Sequence, residues 1–178
     1  TTRSGQEAQF FADVTTTSGA TATGTVTFRA GNIDISSAIP LVDGRAQFSI
    51  ASLPVGEYQI NATYSGDANH DVARSGELTH IVSHGDVQLV VAATPEETTA
   101  GQATTITVDA SRVAPAVGIP TGQVRLYVND VEWGAPVNLD AAGHAEWTTS
   151  ALPVGVHSLK VGYLGSDAFS SIEAAVQH

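Results

Sequence analysis

Cysteine and methionine are absent from this 178-residue chain, lysine occurs once, and seven basic side chains stand against eighteen acidic ones. Each shortage excludes something. Without cysteine there are no disulfides, no thiolate metal sites and no cysteine nucleophile, although the compartment stays open. A net charge of −11 repels the phosphate backbone that dominates nucleic-acid affinity, so no nucleic-acid partner is expected. No apolar run approaches the ~18 residues of a membrane span, and no membrane insertion is expected. The opening residues, TTRSGQEAQF, have neither the basic nor the apolar region of a leader. With no initiator methionine, the expectation is a removed leader or, by preference, a segment of a longer protein.

What is present is turn chemistry and β-formers. Seventeen Gly and seven Pro are spread among many Thr, Val and Ala, which suits short strands closed by frequent turns. The chain also repeats itself. Gly5-Gln6 returns as Gly101-Gln102, Gly24-Thr25-Val26 as Gly122-Gln123-Val124, and Gly44-Arg45-Ala46 as Gly143-His144-Ala145. Leu53-Pro54-Val55-Gly56 returns as Leu152-Pro153-Val154-Gly155, and Tyr64 and Gly66 as Tyr163 and Gly165. The spacing stays within 96 to 99 residues, so a whole domain is duplicated, with expected domains at 1–83 and 84–178. Cut after Ser83, the two carry −4 and −7, a solvated and self-repelling surface.

Period-2 alternation marks the strands. Ala8, Phe10, Ala12 and Val14 share a face, as do Val26 and Phe28, then Ala46, Phe48 and Ile50, then Tyr58, Ile60, Ala62 and Tyr64. Polar Thr25, Thr27, Gln59, Asn61 and Thr63 fall between them. Ile106, Val108 and Ala110, then Val124, Leu126 and Val128, then Ala145 and Trp147, then Leu159, Val161 and Tyr163 repeat the pattern. Sheets with one wet face pack in pairs, so the fold class expected is all-β, two tandem β-sandwiches. Leu53-Pro54-Val55-Gly56-Glu57-Tyr58 has the form of a tyrosine corner, which favours immunoglobulin-like sandwiches over a barrel. His157 takes the place of Tyr58 in the second copy, so that corner uses an imidazole donor or none. Before Gly101 stands a full strand candidate, Val87 to Ala93; before Gly5 stand four residues. The first domain should therefore lack its N-terminal strand and expose a sheet edge, to be filled by upstream chain or by a partner's strand. The short junction Ile81–Asp86 favours a semi-rigid rod over a floppy tether.

Gly5-Gln6, Gly24-Thr25-Val26-Thr27-Phe28, Asp43-Gly44-Arg45-Ala46, Leu53-Pro54-Val55-Gly56 and Tyr64-Ser65-Gly66-Asp67-Ala68-Asn69 together resemble bacterial immunoglobulin-like repeats of group 3. The resemblance covers both copies, although Tyr163-Leu164-Gly165-Ser166-Asp167-Ala168-Phe169 departs from the first copy's form. It implies stalks in surface, secreted or phage-virion proteins, sometimes adhesive, and supplies no catalytic residues.

Candidate chemistry is thin. Asp67-Ala68-Asn69-His70-Asp71 begins as a Ca²⁺ loop begins, but Val72 replaces the sixth-position Gly and Leu78 the twelfth-position Glu. A polar hairpin with Asx-type turn bonds is the expectation there. His70, His80, His84, His144, His157 and His178 form none of the short-spaced clusters of zinc sites, so no metal and no cofactor are expected. No Ser sits in a G-x-S-x-G elbow, and no enzyme is expected. Lys160 alternates outward, away from the buried position that a Lys–Asn cross-link needs. Aromatics offer the one ligand candidate. Trp147 belongs inward with Phe48, whereas Trp133 lies between strand patterns and Tyr127 faces outward. Trp133 and Tyr127 are the candidate glycan contacts, the plainer reading being that Trp133 packs over the open end of the sandwich. Phe11 also projects outward.

The expected function is a non-enzymatic stalk or spacer of a bacterial cell-surface or secreted protein, extracellular or cell-surface in location. Its expected partners are neighbouring immunoglobulin-like domains of the same protein. The alternatives are an adhesin module that binds a cell-surface glycan or protein, and a phage tail or capsid appendage.

Overall fold

The computed structural model describes residues 1–17 and 20–178. The chain divides into two compact units, Thr1–Ser83 and His84–His178, and the described residues form strands and turns with no helix.

Unit 1 contains β1 (Thr2–Arg3), β2 (Ala8–Asp13), β3 (Thr25–Ala30), β4 (Ile33–Asp34), β5 (Ile39–Pro40), β6 (Arg45–Ile50), β7 (Gly56–Tyr64), β8 (Ala73–Arg74) and β9 (Leu78–Ser83). The larger sheet runs β1-β9-β7-β3-β4, with β5 beside β3 and β8 beside β7; β2 and β6 form the other sheet. β-Branched and aromatic residues at alternate positions put Phe10, Val26, Phe28, Ala46, Ile60 and Tyr64 into one core between the sheets. The Phe28 ring stacks on Phe48 at 5.6 Å and lies 6.5 Å from Phe10. The residues before Gly5 supply β1, which pairs in parallel with β9 and leaves β2 with β6 as its strand partner.

Unit 2 contains β10 (Val87–Thr94), β11 (Thr104–Arg112), β12 (Gln123–Val128), β13 (Val131–Glu132), β14 (Val137–Asn138), β15 (His144–Thr149), β16 (Ser158–Tyr163) and β17 (Ile172–Gln177). One sheet is β10-β11-β15 and the other β13-β12-β16-β17, with β14 beside β12. Its core gathers Ile106, Val108, Val124, Leu126, Leu159, Val161, Tyr163 and Phe169. Full burial of one such side chain contributes about 1.5–3 kcal/mol.

The two units match pair by pair. Phe10 faces Phe48 as Ile106 faces Trp147, and Ala12 faces Ala46 as Val108 faces Ala145. Each core also holds a buried tyrosine whose hydroxyl donates to a loop carbonyl at 2.6 Å, Tyr64 to Thr23 and Tyr163 to Thr121. Alternation fails at a polar position in β7. Asn61, which the pattern places on the wet face, is only 2% exposed. Its Nδ2 donates to Gly31 O, and its Oδ1 accepts from Arg74 Nε, because β8 lies along β7 and carries the guanidinium over it.

Candidate functional site

The turn entering β7 is a tyrosine corner: the Tyr58 hydroxyl donates to Pro54 O at 2.8 Å. In unit 2 an imidazole does the same work. Pro153 O can only accept, so His157 Nε2, 2.8 Å away, carries the proton. Nδ1 is then free to accept from Asn129 Nδ2 at 3.0 Å, while Asn129 Oδ1 accepts from the Ser158 N–H. Both ring nitrogens of this buried histidine are thereby committed to structure.

The Asp67 loop is similarly self-contained. Oδ2 accepts from the Thr23 N–H and hydroxyl, both at 2.9 Å; Oδ1 accepts from the Asn69 N–H and His70 Nδ1, both at 2.8 Å. The Asn69 bond is the Asx-type turn that the sequence suggests. The carboxylate clamps the β2–β3 connection to the loop after β7. The backbone N–H groups of Thr23 and Asn69, aided by the Thr23 hydroxyl and the His70 ring, hold its carboxyl far below the ordinary 3.8. A lowered folded-state value stabilises fully above the unfolded value, and the stabilisation is lost as pH falls from there toward the folded one. Unit 2 has Ser166 at this place, its Oγ accepting from the Phe169 N–H at 3.3 Å. Asp67→Asn should therefore flatten the acid side of the unit 1 stability profile, read as a smaller fall in melting temperature between about pH 5 and pH 2 than in the parent chain. An unchanged acid slope would assign that sensitivity to other carboxylates.

Tyr127 and Trp133 lie close in sequence but on opposite sides of their sheet. Tyr127 pairs with Glu132 and Lys160 on the outer face. Trp133 donates its backbone N–H to Leu126 O, shares the inward side with Leu126, and packs half-buried against the core. Lys160 Nζ sits 5.1 Å over the Tyr127 ring, 3.0 Å from Asp130 and 3.5 Å from Glu173. Its bond to Asp130 raises the ammonium's pKa above the usual lysine value. Arg125 pairs with Glu132 on the same face. Trp147 also packs against the unit 2 core, with its indole N–H buried and without a hydrogen-bond partner.

Unit 2 also has a cleft of about 980 Å³ at one end, between the β10–β11 connection around Glu96 and Glu97, the turn Leu152–His157, and the chain end Val176–His178. Its walls are aliphatic and weakly acidic. His157 is already bonded at both nitrogens, and His178 Nε2 lies 3.5 Å from the Thr98 hydroxyl. Among the described residues no three His, Asp or Glu side chains gather as a metal site would require, and no helix is long and apolar enough to cross a membrane.

These paired sandwiches with their corners define an immunoglobulin-like class, and the sequence places them within it. The bacterial Ig-like domain (group 3) profile matches residues 1–83 and again 91–178, and the chain belongs to that family as two tandem copies. No curated protein sequence matches the chain significantly. Among solved structures, the chain is similar to the fibronectin(III)-like modules of Clostridium thermocellum CbhA at 20% identity and a TM-score of 0.41, with 98% of this chain and 85% of that one covered. It is also similar to the Yersinia pseudotuberculosis adhesin InvE at 13% identity and a TM-score of 0.41, covering 99% of this chain and 55% of that one. The D0–D1 domain of Intimin matches at 14% identity and a TM-score of 0.38, covering 99% and 92%.

Proposed function

We propose that the chain is a non-enzymatic spacer or presentation segment of a bacterial cell-surface or secreted protein. The observation that carries this reading is what the duplication kept. Residues common to both copies are scaffold: the paired turn glycines, the Leu-Pro-Val-Gly corners and the buried Tyr64 and Tyr163. Exposed Phe11 gave way to Thr107 and half-buried Asp67 to Ser166, and the exposed acids that both copies keep, Asp13 and Asp109, are spent on Arg45 and His144 of the adjacent strand. A duplicated binding site would keep its contacts, whereas a duplicated support need keep only its fold. The polar groups that the sequence offers for a site are engaged with one another: Asp67 with Thr23, Asn69 and His70, His157 with Asn129 and Pro153, and Lys160 with Asp130 and Glu173.

The adhesive alternative rests on Trp133 and Tyr127 as glycan contacts. Their placement on opposite faces favours the spacer. The deciding experiment is a pull-down of the purified chain with insoluble polysaccharide, mucin and intact bacterial cells, with tryptophan fluorescence followed on soluble glycans. No retention on any surface is expected. Saturable retention that Trp133→Ala abolishes, with the unit 2 melting transition intact, would replace the spacer by an adhesin module.

A further inference from the structure

β1 ties the two sheets of unit 1 together. It pairs in parallel with β9 of the larger sheet, and the chain then crosses to β2 of the other. The Ser4 N–H donates to Ser83 O and the Arg3 N–H to Gln6 Oε1, each at 2.9 Å, while the Thr2 hydroxyl lies 3.1 Å from His80 Nε2. Unit 2 repeats the arrangement. The Thr99 N–H donates to Gln102 Oε1 at 3.3 Å, and the Thr98 hydroxyl lies 3.5 Å from His178 Nε2. His178 exchanges backbone bonds with His157 as His80 pairs with Tyr58. Thr2 and His80 therefore return as Thr98 and His178 at matching places. The contact belongs to the domain, since chain continues beyond His80 in unit 1 and precedes Thr98 in unit 2.

In unit 1 the ring is buried. His80 is 8% exposed and stands nearly perpendicular to the Phe10 ring, centroids 5.2 Å apart. The groups around it do not compensate a positive charge. On β7, Tyr58 stands opposite with its hydroxyl on Pro54 O, and Glu57 alternates to the wet face, where it accepts from Gln59. β2 brings the apolar Phe10, and Glu7 before it is exposed. β1 brings the positive amino end at Thr1, with Arg3 one position beyond Thr2. Burial, with a smaller push from that amino end, holds the imidazole below its ordinary 6.5. The Thr2 hydroxyl can turn to accept from a charged ring, so the cost of charging His80 lies in its burial. A charged ring reaches water by displacing the element held least firmly, and β1 is paired to β9 at two positions against five for β7.

We propose that His80 is an acid-sensitive latch of unit 1: neutral, it holds β1 on β9; protonated, it releases β1 and unpins the two sheets along that edge. A lowered folded-state value makes the latch complete above about pH 6.5 and loses it as pH falls toward the folded value. The unit thus stays closed at neutral pH and loosens at one edge in mild acid.

The test follows amide protection and the histidine rings of the full 178-residue chain by NMR between about pH 7.5 and pH 5. Corrected for intrinsic exchange, protection of the Ser4 amide should fall about tenfold over that range, with its midpoint at the titration of the His80 ring, while amides of the β3–β7 ladder stay protected. His80→Gln keeps a hydrogen-bonding side chain without the titration and should make Ser4 protection independent of pH. Thr2→Val removes the hydroxyl and should lower that protection about fivefold already at neutral pH. The proposal is overturned by Ser4 protection that is constant across the range, by a loss that persists in His80→Gln, by a loss shared with the β3–β7 ladder, or by undiminished protection in Thr2→Val. Should His80→Gln not fold, the parent chain decides: a midpoint that follows another histidine overturns the latch equally.

Discussion

Replacing Phe28 by alanine should leave unit 1 at or near its unfolding threshold while the tryptophan-detected transition of unit 2 stays where it was. Phe28 is 2% exposed and its ring bridges the two sheets, stacked on Phe48 of β6 and close to Phe10 of β2. Truncating such a ring removes its transfer free energy and leaves a cavity that the ladders β3–β7 and β2–β6 cannot close, a loss of about 3–5 kcal/mol. That is comparable with the whole margin of a domain this small, about 0.05–0.15 kcal/mol per residue. Among the described residues the β2–β6 sheet has two strands, so few neighbouring backbones are at hand to close around the lost ring. Both tryptophans, Trp133 and Trp147, belong to unit 2, so their fluorescence reports that core alone, and circular dichroism reports both. Urea titrations followed by the two signals should separate into two transitions, only the first moved by the substitution. A shift of both would show that the units share their stability.

The second large effect is expected from a pair of glycines with the same sequence context and different surroundings. Gly44 and Gly143 both hold the left-handed conformation, φ +78° and +84°, in the turns leading into β6 and β15. An alanine at either place bears the left-handed penalty, about 1 kcal/mol. The added methyl then meets different neighbours. At Gly44 it would lie 3.3 Å from Val14 O, a contact that a small shift relieves. At Gly143 it would lie 2.5 Å from Ala110 O, on a strand already held from its far side by β10. Relief there requires breaking the Ala110–Gly143 backbone bond. Gly143→Ala should thus cost about 3 kcal/mol in unit 2, and Gly44→Ala about 1 kcal/mol in unit 1. Equal costs would mean that β11 can move as freely as β2 despite its extra partner.

Much of the architecture was legible in the linear pattern, and the reasons are local. Val26 and Phe28, like Val124, Leu126 and Val128, alternate with polar residues, and a strand with one wet face has to alternate in this way. The Leu-Pro-Val-Gly turns followed by Tyr58 or His157 announced the corners because donor and acceptor lie only four residues apart. The candidate site was less legible. Trp133 reads as a loop residue, but the tight β12–β13 hairpin pairs Val128 with Val131 and so returns Trp133 to the inward side of Leu126. Asp67 reads as a turn residue of a polar hairpin, and its Asn69 bond fits that, yet two of its bonds reach Thr23, 44 residues earlier, which no local spacing could reveal. Asn61 reads as solvated, and only the crossing of Arg74 buries it.

By itself the amino-acid sequence determined that this protein is all-β, duplicated, acidic, free of cysteine chemistry, and a member of the bacterial Ig-like family. The first four follow from composition, periodicity and repetition and the last from the match of its motifs to the family, none of which needs knowledge of distant contacts. Only the tertiary structure decided which polar groups are spent on one another and which aromatic faces the core. Each of these depends on residues tens of positions apart meeting in space. A hydrogen bond or a strand pairing is set by where both partners come to lie, and the pattern around either one alone does not carry that information.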